Sequence, residues 1–116
     1  MAKYMLLLYD DRSAFTNVSP DQMQQIVQKY IKWGQSLREA GIMHASNKLT
    51  DESGRVMRGQ NGHVRVTDGP YSETKEILGG YYIIEAPTYD HAVEHARGCP
   101  HLEYGGTIEV RQVDLM

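Results

Sequence analysis

The sequence predicts one α+β domain, and three observations predict it. An apolar run spans Lys3 to Tyr9, a helical stripe lies between Ser19 and Gly41, and short alternating segments follow, separated by turn signals. With 116 residues, 41% of them hydrophobic, the chain has material for one core and none for a second, so residues 1–116 form a single domain.

The elements follow in order. Lys3 to Tyr9 is apolar without alternation and is bounded by Asp10 and Asp11, as a central strand buried on both faces would be. Ser19-Pro20-Asp21-Gln22 opens a helix: Ser19 caps it, Pro20 suits its first position, and Gln22 completes a capping box. Met23, Ile26, Val27, Tyr30, Trp33 and Leu37 then recur at helical spacing until Gly41, and Gly34 beside that stripe permits close approach of helix and sheet. Ile42 to Leu49 reads as a second strand and Arg55 to Arg58 as a short third. Asn61-Gly62 marks a tight hairpin, after which His63 to Thr67 alternates, with Val64 and Val66 sharing a face. A further strand runs from Gly80 to Glu85. A short helix from Tyr89 to Arg97 turns Tyr89, Ala92, Val93 and Ala96 inward before Gly98 and Pro100 stop it. Gly106 to Val113 alternates as the last strand.

With the hairpin set aside as an insertion, this order is the βαββαβ pattern of a ferredoxin-like α+β domain. Both helices then cover one face of the sheet, and Leu6, Leu7 and Leu8 place apolar groups on both faces. The other face therefore needs cover, and a homodimer packed sheet to sheet is expected.

Charge and composition exclude several partner classes. A formal net charge of −3 repels phosphate backbones, so nucleic acid is not an expected partner. The N-terminal apolar run is too short for a signal-peptide core or a membrane span, which excludes a membrane role. Cys99 is the only cysteine, so no internal disulfide can form, in keeping with a cytoplasmic location.

Thr67-Asp68-Gly69-Pro70-Tyr71-Ser72-Glu73-Thr74-Lys75-Glu76, followed by Leu78-Gly79-Gly80-Tyr81-Tyr82, resembles the signature of the YCII-related, or DGPF-domain, family. The start Lys3-Tyr4-Met5-Leu6-Leu7, the Cys99-Pro100 pair and the ending Gly105-Gly106-Thr107-Ile108-Glu109-Val110-Arg111 are similar to that family too. Tyr71 stands where the name-giving motif has phenylalanine. The resemblance implies a ferredoxin-like fold that pairs into a dimeric α+β barrel. It also implies no settled chemistry, because most members have no established biochemical function. Some members are encoded beside extracytoplasmic-function sigma factors, and a His-Asp pair has been proposed in YCII relatives.

Candidate chemistry centres on the signature. Asp68 is the candidate general base or histidine partner, although an Asx-type role in shaping the Asp68-Gly69-Pro70 turn explains it equally well. His44 and His101 are the candidate proton carriers. His44 shares a strand face with Ile42 and Ser46, and His101 follows Cys99-Pro100 in the loop before the last strand. Tyr71, Glu73 and Lys75 are the candidate substrate-binding residues, with a solvated or interface loop as the plainer explanation. His91-Ala92-Val93-Glu94-His95 spells an inverted zinc-protease motif, but the helix is short, so two solvated histidines explain it better and no metal is expected. Cys99 reads as buried and inert. No phosphate loop, dinucleotide fingerprint or catalytic serine motif occurs, and no cofactor is expected. The leading reading is a small-molecule domain with cofactor-free acid–base chemistry (elimination, isomerisation or hydrolysis) and a pocket near the Asp68-Gly69-Pro70-Tyr71 turn. The alternative is a non-catalytic ligand-binding or regulatory accessory linked to a sigma-factor stress response.

Overall fold

The computed structural model describes every residue except 12–16, 53, 70–75 and 116. Strand β1 (Ala2–Asp11) leads to helix α1 (Pro20–Glu39), strands β2 (Met43–Lys48), β3 (Val56–Gln60), β4 (His63–Thr67) and β5 (Glu76–Ala86), helix α2 (Tyr89–Arg97), a 3₁₀ turn (Pro100–Tyr104) and strand β6 (Thr107–Gln112). The main sheet has the order β2-β5-β1-β6 with every neighbour antiparallel, the ferredoxin-like arrangement, and β3-β4 form a separate two-stranded sheet. No helix among the described residues is long and apolar enough to cross a membrane.

Local chemistry sets the element ends. Ser19 Oγ accepts from the Gln22 amide at 3.1 Å while the Ser19 amide donates to Gln22 Oε1 at 3.0 Å, so the capping box starts α1 as its residues dictate. Thr88 caps α2, its Oγ1 accepting from the His91 amide at 3.2 Å. Asn61 and Gly62 both take positive φ, 52° and 81°, which is what a two-residue hairpin turn requires.

The helices cover one face of the sheet. Tyr4, Leu6 and Leu8 alternate along β1 into the core, and register sets them opposite Ile84, Tyr82 and Gly80 of β5. Leu37, Ala92, Ala96 and Cys99 close that core from the helix side. Gly34 is buried, and a Cβ there would sit 3.4 Å from Met43 Cε, so the close approach it permits is to the end of β2. The opposite face carries Met5, Leu7, Tyr9, Tyr81 and Ile83, all half-buried and covered by no described element.

Three expectations need correction. Strand β5 starts at Glu76, so Gly79 and Gly80 lie inside it rather than at its start. Register slips beside Gly79, where Leu8 faces Gly80 but Tyr9 faces Leu78, and a bulge accommodates glycine within a strand. Val27 is 45% exposed, at the edge of a stripe that buries Ile26, Gly34 and Leu37 instead. Val64 and Val66 share a face with Met57, yet all three are exposed, because β3 and β4 pack extensively only on each other. The radius of gyration, 16.1 Å, exceeds the roughly 13 Å of a compact domain this long, as an outstanding hairpin requires.

Candidate functional site

Two β-bulges decide where His44 and the Asp10 carboxylate go. Between Met43 and Ala45 the register of β2 against β5 slips, so Met43 turns to the core opposite Ile84 while Ala45 faces Ile83 on the open side. His44 lies within that slip and does not share an apolar space with Ile42 and Ser46. Its Nε2 lies 3.2 Å from Glu85 Oε1, with 40% of the side chain exposed.

His101 is the opposite case. The 3₁₀ turn folds it inward to 3% exposure, the one buried charged or polar residue among those described. Nε2 lies 2.7 Å from the Tyr9 carbonyl and Nδ1 lies 3.0 Å from the Tyr30 hydroxyl. A carbonyl only accepts, so Nε2 carries the hydrogen, and in the neutral ring Nδ1 accepts from Tyr30. Burial raises the Tyr30 hydroxyl pKa well above its ordinary 10.0, the nearby Cys99 and Asp10 add to the shift, and the phenol keeps the proton it donates. Asp10 Oδ1 stands 3.7 Å from Nδ1, too far for a hydrogen bond but close enough for a charge to be felt. The Asp10 side chain is 36% exposed against 4% for His101, so the carboxylate is the outward member of the pair.

Glycines clear the space for this cluster. A Cβ on Gly79 would overlap Asp10 Oδ2, and a Cβ on Gly106 would overlap the His101 ring. A Cβ on Gly80 would meet the Asn47 carbonyl of β2 at 3.0 Å. The glycine pair of the signature therefore serves two neighbours, Gly79 the carboxylate and Gly80 the adjoining strand. Alternation along β1 carries Asp10 onto the same face as Leu6 and Leu8, the one signal in the sequence that could have singled it out.

Asp68 sits at the end of β4 with its side chain 87% exposed, and its Oδ1 pairs with Arg55 Nε at 3.2 Å. The turn beside it is closed instead by Thr67, whose carbonyl accepts from the Gly69 amide at 3.0 Å, with Gly69 at φ 86°. Neither histidine has Asp68 as its ion-pair partner; those partners are Asp10 and Glu85. Tyr71, Glu73 and Lys75 lie outside the described residues. His91 Nδ1 is 2.8 Å from Thr88 Oγ1 and Glu94 pairs with Arg97, so the motif Glu94 shares with the two histidines is spent on capping and a surface ion pair.

Cys99 is buried beside this cluster, and burial pushes its thiol from an ordinary 9.0 to about 11, partly offset by the His101 amide. A folded-state pKa above the unfolded value holds its stability contribution intact below the unfolded pKa and loses it as pH rises through the folded one. Stability should therefore fall between pH 9.0 and about 11 by on the order of 2 kcal/mol through this group. Urea unfolding of wild type and Cys99→Ala across that window checks it; an equal slope in both would remove the thiol as its source.

An antiparallel ferredoxin-like sheet, with a buried histidine and an outward carboxylate at one end of a central strand, defines a small α+β domain. The family model for the YCII-related domain matches residues 2–116, and the chain belongs to that family. It is 29% identical over 114 residues to an uncharacterised protein of Rhizobium meliloti (strain 1021), covering 97% of this chain and 92% of that protein.

Proposed function

We propose that this YCII-related domain is a small-molecule enzyme of the cofactor-free acid–base kind, with Asp10 as the group that meets substrate. The observation that carries this reading is the Asp10–His101–Tyr30 cluster, a half-exposed carboxylate backed by a buried histidine. A proton taken by Asp10 reaches His101 Nδ1 once the part-exposed carboxyl swings in from 3.7 Å and the Tyr30 hydroxyl turns from donor to acceptor. Glycines at 79 and 106 support the same reading, since each is needed for one member of the pair. Elimination, isomerisation or hydrolysis fits such a relay. The geometry favours Asp10 over Asp68 for the carboxylate; Tyr71, Glu73 and Lys75 keep their proposed part in positioning substrate.

A thermal-shift screen against small aromatic and carboxylic metabolites, followed by product analysis of every hit, tests the proposal. Wild type and Asp68→Asn are expected to turn over the same hit, and Asp10→Asn to lose activity by at least about 100-fold while keeping its circular dichroism. Full activity in Asp10→Asn would refute the role. The second reading, a non-catalytic ligand-binding or regulatory accessory tied to a sigma factor, draws on the engagement of both His101 nitrogens within the chain. Stabilisation without product, or co-purification with a sigma factor, would favour it.

The open sheet face supports a homodimer closing into an α+β barrel. Met5, Leu7, Tyr81 and Ile83 form an apolar strip there, with Glu85 and His44 to one side. Sedimentation should give a dimer at micromolar concentration and a folded monomer for Ile83→Asp. A monomeric wild type would sink the dimer.

A further inference from the structure

One cavity among the described residues lies beside α1 and is lined by neither Asp10 nor His101. It is a groove of about 610 Å³ between α1 and the chain from Arg97 to Glu103. Lys29, Lys32, Trp33 and Ser36 share one face of α1 by their spacing and form one wall. Cys99, Pro100 and Leu102 form the other, and neither Asp10, Tyr30 nor His101 lines it.

Its lining carries three cations, Lys29, Lys32 and Arg97, against the one carboxylate of Glu103. Trp33 packs edge-on against Tyr82, ring centroids 4.9 Å apart, and its Nε1–H makes no hydrogen bond to a described residue. Because no buried nitrogen or oxygen among the described residues lacks a partner, that N–H is open rather than sealed. Gly98 keeps it so: a Cβ there would stand 3.2 Å from Nε1. Lys32 makes no ion pair with a described residue, and Glu94 holds Arg97 through Nε alone, leaving its terminal NH₂ groups. The acceptor at the rim, Glu103, is already held by Lys29 at 2.9 Å.

We propose that this groove is a binding site for a small organic anion with a flat apolar body, an aryl carboxylate in its simplest form. The carboxylate takes Lys32, Arg97 and the Trp33 N–H, and the ring lies against Trp33, Pro100 and Leu102. A neutral ligand leaves Lys32 uncompensated and a cation is repelled, so charge sets the class. The site is separate from the Asp10 cluster, and either can fail without the other.

Trp33 is the only tryptophan, so its emission reports on the groove directly. Titration with benzoate should change that emission saturably, with binding weakened by added salt. Benzamide, and the Lys32→Gln/Arg97→Gln variant with benzoate, should each bind about tenfold more weakly, while Asp10→Asn binds as wild type does. Both substituted side chains are exposed, and unchanged thermal unfolding of the variant confirms its fold. No saturable change up to the solubility of benzoate, or equal binding of benzamide and benzoate, overturns the proposal. So does wild-type affinity in the double variant.

Discussion

Gly106→Ala is expected to destabilise the protein by about 3 kcal/mol, measured by urea unfolding, although it adds a single methyl group. The added carbon would overlap the His101 ring, which has nowhere to go at 3% exposure. Moving the ring breaks its bonds to the Tyr9 carbonyl and the Tyr30 hydroxyl, each worth roughly 1 kcal/mol, and leaves buried partners unsatisfied. His101→Ala removes the obstacle, so the two substitutions should be strongly non-additive: the double variant should be less destabilised than the two single losses summed. An unchanged midpoint for Gly106→Ala would mean that the histidine is not seated where its hydrogen bonds hold it.

Ile84→Ala is expected to cost about 3 kcal/mol and lower Tm by on the order of 10 °C. Ile84 is fully buried in β5, facing Tyr4 of β1 on one side and Met43 of β2 on the other. Truncation leaves a cavity bounded by two ladders that cannot close around it. The neighbouring Ile83 points to the open face, so Ile83→Ala, measured at a protein concentration low enough to keep the chain monomeric, should cost well under half as much. Equal losses at the two positions would contradict the assignment of faces.

What was legible in the sequence was local. The capping box at Ser19 and Gln22, the hairpin turn at Asn61-Gly62 and the extent of α2 each follow from residues within a few positions of one another. The positions that read differently depend on pairing between distant segments. A bulge beside Met43 sends His44 to the open face, and a second at Gly79 leaves room for the Asp10 carboxylate. Neither slip leaves a local trace, so the sequence makes Asp68 prominent through the signature and leaves Asp10 inconspicuous at the end of an apolar run. Tyr30 reads as core by its spacing, and only the fold shows that its hydroxyl meets His101. The hairpin valines mislead for another reason: alternation announces a face to be buried, and no described part of this chain buries it.

The central place of β1 has a kinetic consequence. Its partners are the last strands made, with Ala2 facing Ala86 and Tyr4 facing Gln112, so the sheet cannot close locally as the chain lengthens. Loop-closure entropy must be met before any β1 contact is rewarded, which makes folding slow for a domain of this size and leaves Leu6, Leu7 and Leu8 bare in the interval. During synthesis that run is the segment at hazard of mispairing with another nascent chain.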